Sequence, residues 1–366
     1  MNILKYICLP GLLVSGDIQT VSAVESKTDK NPNILVILID DAGYNDFGFM
    51  GSKEMQTPNI DALTSEGVVF TDAHVAATVS SPSRACLITG RYGHRFGYEC
   101  NLSDRTNGLP LEEETIAEVF KTNGYRTAAI GKWHLGSRDE QHPNNRGFDL
   151  FYGMKAGGRD YFYNEKKSDR PGDERNLLLN DRQVKFEKYL TDAFSEKAVE
   201  FINESSQPFM MYLAYNAVHT PMQATDEDMA KFEGHPRQKL AAMTYALDRG
   251  VGTVIRGLKD SGKFDNTLIF FLSDNGGATT NQSSNYPLKG FKGNKFEGGH
   301  RVPYFVVWKN GIPAGKPYDG LVSSLDIFAT AIDAASISKT RNRLDGVSLL
   351  PYLKGKKGEP LSLIHI

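Results

Sequence analysis

The chain has 366 residues, of which 40% are hydrophobic and 23% charged, an ordinary globular composition long enough for one large domain or two smaller ones. Its formal net charge of -2 leaves no bulk electrostatic case for nucleic acid as a partner. No internal repeat or low-complexity tract stands out.

The first residues predict export. Lys5 precedes an apolar run from Tyr6 to Val14, interrupted by Pro10 and Gly11, and Val21-Ser22-Ala23 suits a signal-peptidase site. Residues 1–23 are therefore expected to be a signal peptide and 24–32 a linker. The run is too short to span a bilayer, so no integral membrane segment is expected after cleavage, and the protein is expected to be periplasmic or secreted. Cys8 lacks the small neighbours of a lipoprotein site. Cleavage would leave Cys86 and Cys100, which could pair. A disulfide framework normally uses more cysteines, so a buried thiol at Cys86 is the expected outcome.

Asn33 to Ile39 is a nearly continuous apolar run rich in β-branched residues, which predicts a strand buried on both faces. Asp40-Asp41 closes it; Asp46, further on, reads as a turn or cap residue. In Ser80-Ser81-Pro82-Ser83-Arg84, Pro82 fits the first turn of a helix that packs inward through Leu87 and Ile88. Ser80 then lies at the helix N-terminus, where an anion is favoured, and Arg84 can reach back to the same end. Glu113 to Asn123 has helical spacing through Ile116, Val119 and Phe120, with Gly124 as the stop. Arg126 to Ile130 follows as a strand and leads into Gly131-Lys132-Trp133-His134-Leu135-Gly136. Thr191 to Ser205 reads as a helix, Phe209 to Tyr215 as a strand leading into Asn216-Ala217-Val218-His219, and Lys239 to Ser261 as a long helix. Thr267 to Leu272 is again a continuous apolar strand, closed by Ser273-Asp274-Asn275-Gly276-Gly277. Tyr304 to Trp308 and Leu325 to Ala335 complete the pattern as a strand and a helix. Strands alternating with helices predict an α/β fold with a doubly wound, mixed but mostly parallel sheet, helices on both faces and ligands at the carboxyl ends of the strands.

The polar clusters fall at those ends. Two adjacent carboxylates after a buried strand are costly unless something neutralises them. If the Asn33 and Thr267 strands are central and parallel, Asp40, Asp41, Asp274 and the Asn275 amide oxygen meet at one edge. That all-oxygen set suits a hard cation, Ca²⁺ or Mg²⁺, whereas zinc would normally recruit histidine or cysteine as well.

Ser80-Ser81-Pro82-Ser83-Arg84, continuing through Leu87-Ile88-Thr89-Gly90-Arg91, resembles the signature of the type I sulfatases. Asp40-Asp41-Ala42-Gly43 and Asp274-Asn275-Gly276 resemble that family's metal motifs, and Gly131 to Gly136 its lysine–histidine segment. Asn216 to Pro221 is similar to the segment with the second histidine, Pro287 to Pro303 to the block with the second lysine, and Asp345-Gly346-Val347-Ser348-Leu349 to a late motif. The resemblance runs from about Asn33 to Gly355, expected as one catalytic domain (33–355) of the alkaline phosphatase-like superfold. It implies that Ser80 is oxidised to formylglycine, whose hydrate attacks sulfur with one hydroxyl and expels sulfate with the other. It also implies a calcium site of Asp40, Asp41, Asp274, Asn275 and modified Ser80. Lys132 and Lys292 would hold sulfate oxygens beside Arg84, His134 would take a proton from the diol, and His219 would protonate the leaving alcohol.

Departures from the common pattern are Lys289, Phe291 and His300 and, above all, Ser80 in place of cysteine. A serine-type member implies a bacterial source with a radical-SAM maturase acting before export. The expected substrate is a sulfated small molecule or glycan, with a carbohydrate favoured. His94, Arg95, Arg159 and His300 are candidate substrate contacts, and Tyr98 and the Gly157 to Tyr161 loop are further polar-aromatic candidates for a sugar subsite. Alternatives are a broad arylsulfatase, a phosphoesterase of the same superfold, though further His/Asp metal motifs are not seen, and a non-catalytic glycan-binding protein. The family's small C-terminal antiparallel subdomain is expected to be truncated over 356–366, because Leu361 to Ile366 matches the translation of a sequencing-library adaptor.

Overall fold

The structure, a computed structural model, describes residues 31–101 and 108–356. The expected signal, most of the linker and residues 357–366 lie outside the described residues. The strands are β1 (Asn33–Ile39), β2 (Val68–Phe70), β3 (Ala73–His74), β4 (Arg126–Lys132), β5 (Leu150–Met154) and β6 (Leu178–Leu179). They continue with β7 (Arg182–Gln183), β8 (Phe209–Ala214), β9 (Thr267–Ser273), β10 (Tyr304–Val307) and β11 (Val322–Ser323). Nine of them form one sheet in the order β2-β10-β9-β1-β8-β4-β5-β6-β7, and β11 pairs with β3 in a separate small ladder. The five central strands β9, β1, β8, β4 and β5 run parallel, and the short strands at both margins are antiparallel. This is the mixed α/β architecture that the alternation of elements predicts.

β1 is buried on both sides because its apolar residues alternate between two cores. Leu35, Ile37 and Ile39 pack with the helices Leu190–Glu204 and Gln238–Asp260. Ile34, Val36 and Leu38 pack with Ser80–Thr89, Ile116–Thr122 and Asp326–Ala334. Each such buried side chain is worth about 1.5–3 kcal/mol relative to exposure, so the strand's place at the centre is strongly set. Boundaries differ from the sequence expectation at the ends. The helix expected from Glu113 starts at Ile116, because Thr115 caps it and Glu118 closes a capping box with the Thr115 backbone.

Parallel register brings the ends of β1, β8, β4 and β9 to one edge. Ile39 stands opposite Ser273, Leu38 opposite Ala214, and Gly131 opposite Ala214. The residues that follow are Asp40-Asp41, Asn216 to His219, Lys132 to His134, and Asp274-Asn275. No described helix is long and apolar enough to cross a membrane.

Candidate active site

The helix Ser80–Thr89 delivers the serine to this edge. All ten of its residues are buried, Leu87 and Ile88 lie in the core, and Gly90 ends it in the left-handed region. Ser80 Oγ lies 3.3 Å from Asp40 Oδ1, 3.2 Å from Asn275 Oδ1 and 3.5 Å from Lys292 Nζ. Lys132 Nζ donates to Asp40 Oδ2 at 2.7 Å, and Lys292 Nζ to Asp41 Oδ1 at 2.6 Å. Arg84 donates from Nε and Nη2 to Asp274 Oδ2 at 3.0 and 2.8 Å, and from Nη1 to the Lys132 carbonyl. Three buried carboxylates thus face three cations, which is what makes this much charge tolerable inside the protein.

The donor set fits a hard cation. Asn275 turns its amide nitrogen to Asp41 Oδ1 and the Gly276 carbonyl, which leaves its oxygen on the Ser80 side with Asp40 Oδ1. Carboxylate and amide oxygens converging beside one hydroxyl are the ligands that Ca²⁺ or Mg²⁺ takes. His219 also approaches, with Nε2 3.7 Å from Asp41 Oδ2.

Burial alone would raise the pKa of Asp40, but Lys132, His219 and Arg84 outweigh it and hold the carboxyl below its ordinary value. For Lys292 burial again opposes ionisation, and Asp41, Asp40 and Asp274 prevail and raise its pKa. Burial, reinforced by Lys132, Arg84, His219 and Lys292, pushes His134 well below the usual histidine value. Its imidazole is therefore a neutral base around neutral pH.

Backbone geometry at the site is unusual. Asp41 and His134 both occupy the left-handed region, at φ 62° and 60°. Non-glycine residues held there cost on the order of 1–3 kcal/mol and persist where the surroundings over-determine them. For His134 the surroundings include Ser81, whose Oγ donates to the His134 carbonyl at 2.7 Å and pairs with Tyr98 Oη at 2.7 Å. Ser81 therefore ties the helix Ser80–Thr89 to the segment of His134. Nothing in the periodicity of the sequence signals that link.

The loop after β5 closes over the imidazoles. A Cβ added to Gly157 would lie 2.6 Å from His134 Nε2, and one added to Gly158 3.3 Å from the His219 ring. Tyr161 Oη donates towards the carbonyls of Asn216 and His219, at 2.5 and 2.8 Å, and so fixes the loop to the second histidine's segment. Gly157→Ala must displace the His134 ring and is expected to lower kcat by roughly tenfold to hundredfold. Gly158→Ala, with its looser contact, should lose less. Steady-state kinetics beside thermal melts check this ordering, and equal losses would deny the loop its role in holding His134.

The residues expected to contact a sugar differ in their surroundings. Arg159 is buried, its Nη2 meets both carboxylate oxygens of Asp169 at 2.8 and 2.9 Å, and its other nitrogens serve the carbonyls of Asp160 and Arg175. Four of its five N–H groups are thus engaged within the protein, and it braces the loop. Tyr98 is likewise buried on Ser81. Arg95 donates to Asp345 at 2.7 Å, His94 is exposed one residue before it, and His300 lies beside His74 with ring centroids 5.1 Å apart and the planes tilted by 36°. Asp46 accepts from the Gly43 and Ser284 amides and pairs with Arg237 at 2.7 Å, a loop anchor as the sequence suggests. Cys86 is a buried free thiol and Cys100 an exposed one.

A buried hydroxyl at a helix start, flanked by acids, lysines and imidazoles at the carboxyl edge of an α/β sheet, defines a hydrolase built to handle an oxyanion. Comparison narrows this class: the model of the sulfatase family matches residues 32–337, and the chain belongs to that family. It is 36% identical over 395 residues to the Escherichia coli (strain K12) protein "Uncharacterized sulfatase YdeN", covering 92% of this chain and 68% of that one. It is 33% identical to N-acetylgalactosamine-6-sulfatase of Canis lupus familiaris, over 88% of this chain and 66% of that one. Among solved structures it is similar to Ps i-CgsB in complex with k-i-k-neocarrahexaose. That likeness has a TM-score of 0.83 and 42% identity, over 89% of this chain and 77% of that one. The chain spans about two thirds of the length of these curated relatives. Its activity is sulfuric ester hydrolysis.

Proposed function

We propose that the chain hydrolyses a sulfate ester of a poly- or oligosaccharide, with residue 80 as nucleophile after oxidation of Ser80 to formylglycine. The observation that carries this reading is Ser80 Oγ within 3.5 Å of Asp40, Asn275 and Lys292 together. A hydrated formylglycine supplies one hydroxyl to attack sulfur and a second that, on losing its proton, releases sulfate. Asp40, Asp41, Asp274, Asn275 and residue 80 would hold calcium, or magnesium, which supplies positive charge beside the sulfate oxygens.

The remaining work falls to the side chains. Lys132 and Lys292 flank the reacting position and bind sulfate oxygens. Arg84 fixes Asp274 and, with Nη2 3.6 Å from Asp40 Oδ1, keeps the acids in register. His134 removes the proton whose loss releases sulfate. His219 Nδ1–H donates to the Thr220 carbonyl at 2.6 Å, so in the doubly protonated ring Nε2 carries the proton that passes to the leaving alcohol, and Nε2 is left as the lone-pair nitrogen. A sugar alkoxide needs that proton more than a phenolate does.

The carbohydrate assignment is supported by the oligosaccharide complex of Ps i-CgsB and by aromatic side chains on the loop that carries Lys292. Tyr286 is 73% and Phe291 44% exposed, offering faces on which a pyranose ring can stack. A serine precursor points to a radical-SAM maturase in a bacterial cytoplasm, followed by export through the segment 1–23.

Two measurements test the reading. Peptide mass spectrometry of active protein from a maturing host should find the Ser80 peptide lighter by two hydrogens; full activity with unmodified Ser80 would sink the mechanism. Turnover of sulfated oligosaccharides should exceed that of a phenyl sulfate, and the reverse order would favour the arylsulfatase alternative. The pH profile adds a third expectation. Because the His134 pKa lies well below 6.5, the base stays unprotonated into the acid range. The plateau of kcat/KM should extend below that value and fall only as pH drops through the depressed pKa. An acid limb centred at or above 6.5 would remove His134 from the role of base.

A further inference from the structure

The geometry points to a second cation site, which we propose binds a borderline transition ion of the Zn²⁺ type between His74, Glu297 and His300. Ligand atoms of these three residues all lie within 4.8 Å of one another, and His74 Nε2 is 3.4 Å from Glu297 Oε2. Bonds of 2.0–2.1 Å in a tetrahedral zinc site place ligand atoms about 3.4 Å apart, so one edge is already at that spacing and the third ligand needs a modest closure. Asp72 Oδ1, 3.9 Å from His74 Nε2, is positioned as a fourth donor.

Two imidazoles and a carboxylate are a different chemistry from the all-oxygen cluster at Ser80, and they select a softer ion than calcium. The surroundings are those of ligands held in place. Glu297 and His300 open and close a single turn, Glu297–His300, and so project from one side of it. Arg301 is the cation that now serves the acids, with Nη1 3.3 Å from Glu297 Oε2 and 3.4 Å from Asp72 Oδ1. Its Nε and Nη2 donate to the Thr71 carbonyl at 3.1 and 2.6 Å, so it holds both carboxylates from one flank and orients them.

The place of the site gives it a consequence for the reaction. His74 lies on β3, six residues before Ser80, and His300 lies eight residues after Lys292. The two segments already touch through the Val75 amide and the His300 carbonyl at 2.8 Å, and the Gly299 carbonyl accepts from the Gly276 amide next to Asn275. An ion at His74, Glu297 and His300 clamps the approach to the nucleophile onto the loop of the sulfate-binding lysine.

The test uses the whole chain with calcium in saturating excess, so that the acids at Ser80 are occupied, and Zn²⁺ as the titrant in calorimetry. One equivalent is expected to bind and to raise Tm. In His74→Gln/His300→Gln the affinity should fall by about a hundredfold or more. Absence of Zn²⁺ binding in the calcium-saturated protein, or binding unchanged in the double variant, overturns the site. Should the variant fail to fold, Co²⁺ added to the unaltered protein decides. An intense visible spectrum of four-coordinate cobalt supports the site, and the weak spectrum of six-coordinate cobalt overturns it.

Discussion

Ser80→Ala is expected to abolish sulfate release, with kcat lowered on the order of 10⁴-fold or more, while the protein stays folded. The Oγ that is lost touches Asp40, Asn275 and Lys292 at 3.2–3.5 Å, long contacts for a hydroxyl. Removing them changes stability by no more than about 1 kcal/mol. The helix around it keeps its packing, since Ala85, Leu87 and Ile88 hold it in the core. Activity assays beside a thermal melt separate the two effects. Retained turnover would mean that another group attacks sulfur; collapse of the fold would mean that the hydroxyl is a structural donor.

Arg84→Met is expected to damage both stability and rate. Arg84 is fully buried, with 0% side-chain exposure, and so is its partner Asp274. Taking away the guanidinium leaves Oδ2 of Asp274 without its two donors, with only the Asp41 amide remaining on Oδ1, and Asp40 loses a cation 3.6 Å away. Breaking a buried pair from one side costs about 3–5 kcal/mol. The rate should fall by a further 10²–10³, roughly the loss seen when a charge-stabilising donor is removed, because Asp274 drifts from the other acids. Arg84→Lys restores charge but not the fork, and should recover stability more than rate. Denaturant titration with kinetics checks this; a variant as stable as the parent would show that Asp274 has found another cation.

Much of this site was legible before any coordinates. β1 and β9 announce themselves as continuous apolar runs, and carboxylates directly after such runs demand a cation. Lys132 and His134, and likewise His219, follow strands by the same logic, so that parallel order alone collects them. Other features lay beyond reach for physical reasons. β6 and β7 have two residues each, too few for any period. The burial of Arg159 is not signalled in the sequence, because its partner, Asp169, belongs to the same irregular segment. The link from Ser81 to His134 spans 53 positions and that from His74 to Glu297 spans 223, distances over which only the folded chain makes neighbours. Gly157 and Gly158 look like ordinary turn glycines until the imidazoles above them are seen.

Ser80 is only 1% exposed, on a helix that is buried from end to end. Any enzyme that oxidises this residue therefore has to meet it on a nascent or unwound chain. Chemistry at position 80 and folding become a race, and a molecule that folds first is locked out of repair. Two populations with identical shape, one competent and one inert, would then coexist in a single preparation.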